Sequence, residues 1–150
     1  MQNFIRAIKK HLLIYFLFAK NSLISQMEYR ANFIITICVE SCYLFSKLLY
    51  VIVVYQVGVN IKGWPPDAIL LFIGTFVLIT AVYTGLFMQN FYGVPGLVRD
   101  GTLDMLIVKP ISLQFIATLR RVEFSIPIPN IIGGTIMVVI AWNKLHLEGL

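Results

Sequence analysis

Charge is scarce in this chain: 13% of its 150 residues are Asp, Glu, Lys or Arg, where a soluble domain carries about 25%. That shortage excludes a soluble globule. A 59% hydrophobic content and a mean hydropathy of +0.84 are more apolar surface than a core of this length can hide, so the surplus must face lipid. Cysteine is almost missing too. Cys38 and Cys42 stand one helical turn apart in an apolar segment, which offers neither the ligands of a zinc site nor a disulfide framework. They read as free thiols used as small apolar side chains. There is no G-x-x-x-x-G-K-[ST] loop, no H-E-x-x-H and no nucleophile elbow, so no catalytic, cofactor or metal site is expected. His11 and His146 fall on opposite sides of the topology derived below and cannot share a site. The basic residues are scattered along membrane-flanking segments, which excludes nucleic acid as a partner.

What is present is a set of long apolar runs, which predict an all-α polytopic membrane protein in one domain. Residues 33–57, 68–88 and 124–142 are each long enough to cross a bilayer, which takes about 20 residues. The lead-in, residues 1–32, sets Phe4, Ile5, Ile8, Leu12 and Leu13 opposite Arg6, Lys9 and Lys10. Its longest apolar stretch, residues 12–19, is too short to span. An amphipathic helix lying on anionic lipid fits best, with an uncleaved signal anchor as the alternative. In the third span, Pro127 and Pro129 are expected to leave carbonyls unpaired in the first turns, and Gly133-Gly134 to weaken the middle. Small residues of the second span, Gly74 and Gly85 among them, suit close helix contact.

Position turns the net charge of +5 into a topology. Residues 1–32 and 88–123 hold nine basic and four acidic residues, while Lys62 with Asp67, Lys144 with Glu148, and Glu40 with Lys47 cancel. All the net charge lies on one side, which the positive-inside rule makes cytoplasmic. The N-terminus and the 88–123 loop are thus expected inside the inner membrane, and the 58–67 turn and the C-terminus outside.

Two polar features stand out. In the first span, Thr36, Glu40, Tyr43, Lys47 and Tyr50 fall within one arc of a helix of about 80°. Buried charges are expensive in hydrocarbon, so this stripe must face protein or a pathway. Lys47 is expected to reach back toward Glu40, directly or through water, either as a packing pair or as part of a pathway lining. The second feature is residues 96–110, GLVRDGTLDMLIVKP. Asp100-Gly101 reads as a turn, with Thr102 capping a short helix that holds Asp104 in its first turn. Leu103, Leu106 and Ile107 are expected on one side, Lys109 at the C-terminal end, and Pro110 as the stop.

This knob resembles the cytoplasmic loop of permease subunits of type-2 ATP-binding-cassette (ABC) exporters, in a prokaryotic branch with a V-R-x-G-x-L-D-x-x-L-x-K-P-like signature. Val98, Arg99, Gly101, Leu103, Asp104, Lys109 and Pro110 match; Ile107 and Val108 stand where leucines are usual. Tyr29-Arg30, Gly63-Trp64 and Asn90 extend the similarity, from about Met27 to the last residue. The resemblance implies that residues 96–110 form a coupling helix gripped by a separate cytoplasmic ATPase, with Arg99, Asp100, Gly101, Asp104, Lys109 and Pro110 at the contact. It also implies a second permease subunit, identical or not. Such permeases typically carry six spans, so the chain is expected to be a fragment or one piece of a split permease. A non-transporting three-span scaffold or regulator is the alternative. A small channel is disfavoured because one span alone carries a polar stripe.

Overall fold

The computed structural model describes residues 2–57, 63–108 and 111–148. Lys109 and Pro110 of the expected coupling loop, and residues 58–62 of the 58–67 turn, Lys62 among them, lie outside the described residues. The described chain is helical: α1 (Gln2–Glu28), α2 (Arg30–Val57), α3 (Pro66–Tyr83), a π-helical turn (Thr84–Met88), α4 (Gln89–Arg99), α5 (Thr102–Ile107), α6 (Leu113–Leu119) and α7 (Pro127–Glu148). Three helical runs are long and apolar enough to cross a membrane, namely Arg30–Val57, Pro66–Arg99 and Pro127–His146. The chain is an all-α, multi-pass membrane protein.

Several boundaries differ from those expected, two of them with consequences. Helical structure after the second span continues through Pro95 to Arg99, so Gly96–Arg99 form the last turn of α4 rather than the start of a loop. The third spanning helix begins at Pro127, not Phe124. There the prolines occupy the first turn, whose N–H groups have no intrahelical acceptor anyway, so no carbonyl is stranded by them.

The chain divides into two compact units. One comprises residues 31–82 and 125–150, and is built from α2, α3 and α7. Its core is Val51, Leu70, Met137 and Ala141, with Leu44, Leu48 and Ile73 packed against it. Glycines bring the backbones together. A Cβ on Gly74 would stand 2.9 Å from Met137 Cβ and 3.1 Å from the Val138 nitrogen, and one on Gly134 3.2 Å from the Gly74 carbonyl. Gly133 and Gly134 are therefore contact surfaces. Large apolar side chains such as Ile35, Phe45, Phe72, Phe76, Ile79 and Val139 remain exposed, as lipid-facing positions require.

The other unit comprises residues 1–30 and 83–124 and holds α1, the π-turn, α4, α5 and α6. His11 and Phe18 of α1 meet Phe115 of α6, at ring-centroid distances of 5.1 and 6.4 Å. Ser112 caps α6 by accepting from the Phe115 N–H at 3.3 Å. Burial pushes the Tyr15 phenol up, so it stays protonated at neutral pH.

Candidate functional site

The α1–α4–α6 unit carries the knob. Gly101 takes φ +68°, the left-handed turn expected of it. Because Gly101 itself precedes the helix, Thr102 is its first residue and does not cap it. The Thr102 hydroxyl instead donates back to the Leu97 carbonyl at 3.3 Å. α5 packs on α4 and α6, with Leu106 buried and Leu103 half-buried. Ile107 does not share that side: it is exposed, with Asp104, Met105 and Val108. Arg99 and Asp100 pair at 3.5 Å while both remain well exposed, a geometry of little energetic weight. The knob thus shows outward a mixed surface, an acid at Asp104 among the bare side chains of Met105, Ile107 and Val108. Met105 was not singled out in the sequence and Ile107 was expected on the other side, because a period read over six residues cannot fix a face.

Behind the knob runs a strap, residues 120–124, with no regular secondary structure. Its backbone groups must find partners elsewhere, and they do so alternately on two sides. Toward α4 and the π-turn, the Arg121 N–H donates to Asn90 Oδ1 at 2.8 Å, and Asn90 Nδ2 donates to the Arg121 carbonyl at 2.7 Å. The Glu123 N–H donates to the Gly85 carbonyl at 2.8 Å. Toward α1, the Val122 N–H donates to Ser22 Oγ at 3.2 Å, and Gln26 Nε2 donates to the Val122 carbonyl at 2.7 Å. The Phe124 N–H donates to Gln26 Oε1 at 3.1 Å. Two carboxamides here do what neighbouring strands do in a sheet, and Asn90 is buried in the act. Asn90 was marked by resemblance alone; Ser22 and Gln26 were missed, though Ser22, Ser25 and Gln26 form an uncharged polar stripe on α1 that could have flagged them.

In the α2–α3–α7 unit the polar stripe is only partly inward. Glu40 accepts from Asn130 Nδ2 of α7 at 3.0 Å, and the same nitrogen donates to the Ile126 carbonyl at 2.9 Å. Glu40 and Lys47 form no direct ion pair; both are half-buried. They sit two turns apart on one helix, whereas the Asn130 amide comes to Glu40 from a neighbour. Thr36 donates to its own helix at Asn32 O, and Tyr43 and Tyr50 are exposed. A second polar cluster was missed entirely. Asp67, buried at the start of α3, accepts from the Tyr55 hydroxyl and pairs with Lys144 at 3.6 Å. The Lys144 ammonium also lies 4.9 Å above the Tyr55 ring.

These contacts order the three helices. Glu40 with Asn130 joins α2 and α7 near their N-terminal ends, and Tyr55 with Lys144 near their C-terminal ends, so α2 and α7 are parallel and α3 returns between the same levels. An apolar groove of about 730 Å³ runs between α2 and α7, past Leu44, Leu48, Gly133, Ile136 and Met137.

A family model described as "ABC-2 family transporter protein" matches residues 42–149. The chain belongs to that family. The matched region holds the knob, Asn90, the strap and all of α3 and α7, and begins within α2, later than the Met27 expected from the motifs. No curated protein and no solved structure matches the chain. Membership makes this a permease of ABC transport, a multi-pass membrane subunit.

Proposed function

We propose that the chain is the membrane subunit of an exporter driven by ATP hydrolysis on a separate cytoplasmic ATPase, which grips α5. The observation that carries this reading is the exposed mixed face of α5, inside the region shared with the ABC-2 family. Arg99 and Asp104 supply charges that set docking register, and Met105 and Val108 supply apolar contact. Asp100, Gly101, Lys109 and Pro110 complete the loop. The chain has no phosphate-binding loop of its own, so the hydrolytic step belongs to the partner.

The mechanical path then follows covalent connection. α4 continues through the π-turn into α3 without leaving helical structure, so a tilt imposed on α5 is delivered to a spanning helix. The strap ties the same π-turn to α1 and leads directly into α7. A second permease subunit supplies the other half of the bundle, and the inner-membrane orientation puts the N-terminus and the knob on the ATPase side. The test is co-purification with the cognate ATPase. Asp104→Lys on this exposed position should abolish it while membrane insertion is unchanged. Undiminished co-purification of the Asp104→Lys and Met105→Glu variants would sink the docking assignment, leaving a scaffold as the better reading.

A further inference from the structure

We propose that the polar pocket between α1 and the strap binds the phosphate group of an anionic phospholipid. The pocket, about 570 Å³, lies wholly within the unit built on α1, α4 and α6. Arg120 and Arg121 enter it from the strap, Asn21 and Ser25 from α1, and Gln89 from the first residue of α4. Ser22 and Gln26 also line it, but their polar atoms are committed to the strap backbone. The side chains of Asn21, Ser25 and Gln89 make no hydrogen bond among the described residues, and all three residues are exposed.

The rest of the lining is rich in donors: two arginines, two carboxamides and a hydroxyl. Guanidinium forks match the geometry of phosphate oxygens. Arg121 is held in place by its own backbone, which Asn90 clamps on both sides, and its Nη1 would lie 3.6 Å from a Cβ on Gly93. Glu123 also lines the pocket. At about 30 Å³ per water, the volume holds far more than a bare phosphate and leaves room for a polyol headgroup.

The same phosphate chemistry could come from free anion, and the neighbourhood decides for lipid. Leu17 and Ile24 sit one turn to either side of Asn21, 47% and 58% exposed, and Phe18 forms part of the wall. A headgroup in the pocket thus has an apolar track along α1 for its acyl chains. The assignment needs only the membrane placement of the chain and is independent of transport.

The experiment uses the full chain in nanodiscs of phosphatidylcholine doped with phosphatidylglycerol, extracted and weighed by native mass spectrometry. Phosphatidylglycerol should stay bound in preference to phosphatidylcholine and survive millimolar inorganic phosphate. Arg120→Gln with Arg121→Gln should weaken its retention about tenfold. Ser25→Glu, on an exposed position outside the strap contacts, should do the same without disturbing the fold. Lys20→Gln, which removes a charge from α1 outside the pocket, should leave retention unchanged. Equal retention by wild type and Ser25→Glu would overturn the site, as would a Lys20→Gln loss of the same size, which signals diffuse attraction. Displacement of the lipid by inorganic phosphate would overturn the lipid as its source.

Discussion

Glu40 is a charge inside a spanning helix, and the cost of such a charge depends on who answers it. An isolated carboxylate in hydrocarbon is disfavoured by about 2.5–3.5 kcal/mol on insertion scales, and the Asn130 amide at 3.0 Å offsets part of that. Interhelical hydrogen bonds in membranes couple by about 0.6 kcal/mol on average, up to about 1.7. A double-mutant cycle of Glu40→Leu and Asn130→Leu should therefore give about 1 kcal/mol of coupling in detergent unfolding. The matching cycle with Lys47→Leu should be additive to within about 0.5 kcal/mol. A larger coupling to Lys47 than to Asn130 would restore the ion pair. That Glu40 needed a partner was legible in the sequence from its apolar surroundings. Its identity was not, because Asn130 is a neutral residue 90 positions away. Asp67 and Lys144 were hidden for a similar reason: each seemed balanced by a charge in its own flanking segment, and only the fold brings them together.

Among the elements, helices long enough to span were readable throughout, since an apolar run of that length has few other uses. Their ends were not. Pro127 and Pro129 look like interruptions to a reader counting apolar residues, but physically they are starting residues for α7. The strap escaped because five extended residues carry no period, and its partners lie at Ser22, Gln26, Gly85 and Asn90. The helix contacts make a sharper prediction. A methyl on Gly74 meets Met137 Cβ and the Val138 backbone nitrogen, neither of which can swing aside. The nearest atoms to a methyl on Gly133 all belong to the Leu44 side chain, its Cγ and both δ-carbons, and that side chain can change rotamer. Gly74→Ala should thus destabilise by about 1–3 kcal/mol through overpacking. Gly133→Ala should stay within about 1 kcal/mol, helped by its better helix propensity. Thermal unfolding in detergent compares them, and equal losses would contradict the packing described.

Across the whole molecule, the division into units coincides with the division of charge. The α1–α4–α6 unit holds nine basic and four acidic residues; the spanning unit holds Lys47, Lys62 and Lys144 against Glu40, Asp67 and Glu148. One unit carries the entire +5, and the other is neutral. By the positive-inside rule we propose that the charged unit is the cytoplasmic one. Single cysteines at Asn60 and Gln114, in a background lacking the exposed Cys38 and Cys42, provide the check. An impermeant thiol reagent on intact cells should label the Asn60 position and spare Gln114. The opposite pattern would invert the topology.

The π-turn at Thr84–Met88 has a consequence for sequence length. Gly85 and Asn90 both hold the strap, yet residues five apart point about 140° from each other on an α-helix. The wider i→i+5 turn brings them back into phase. It behaves as an insertion of one residue that the helix has absorbed. Removing Phe87 would place Gly85 and Asn90 four apart, again on one face, and leave the α-helix continuous. Removing Ile79, where the helix is regular, would leave no such slack and would turn the buried Ala81 by about 100° away from the face it shares with Gly74 and Val77. Deletion of Phe87 should accordingly yield folded protein by size-exclusion chromatography, and deletion of Ile79 should not. The helix tolerates a change of length where it is already out of step, and nowhere else along its core face.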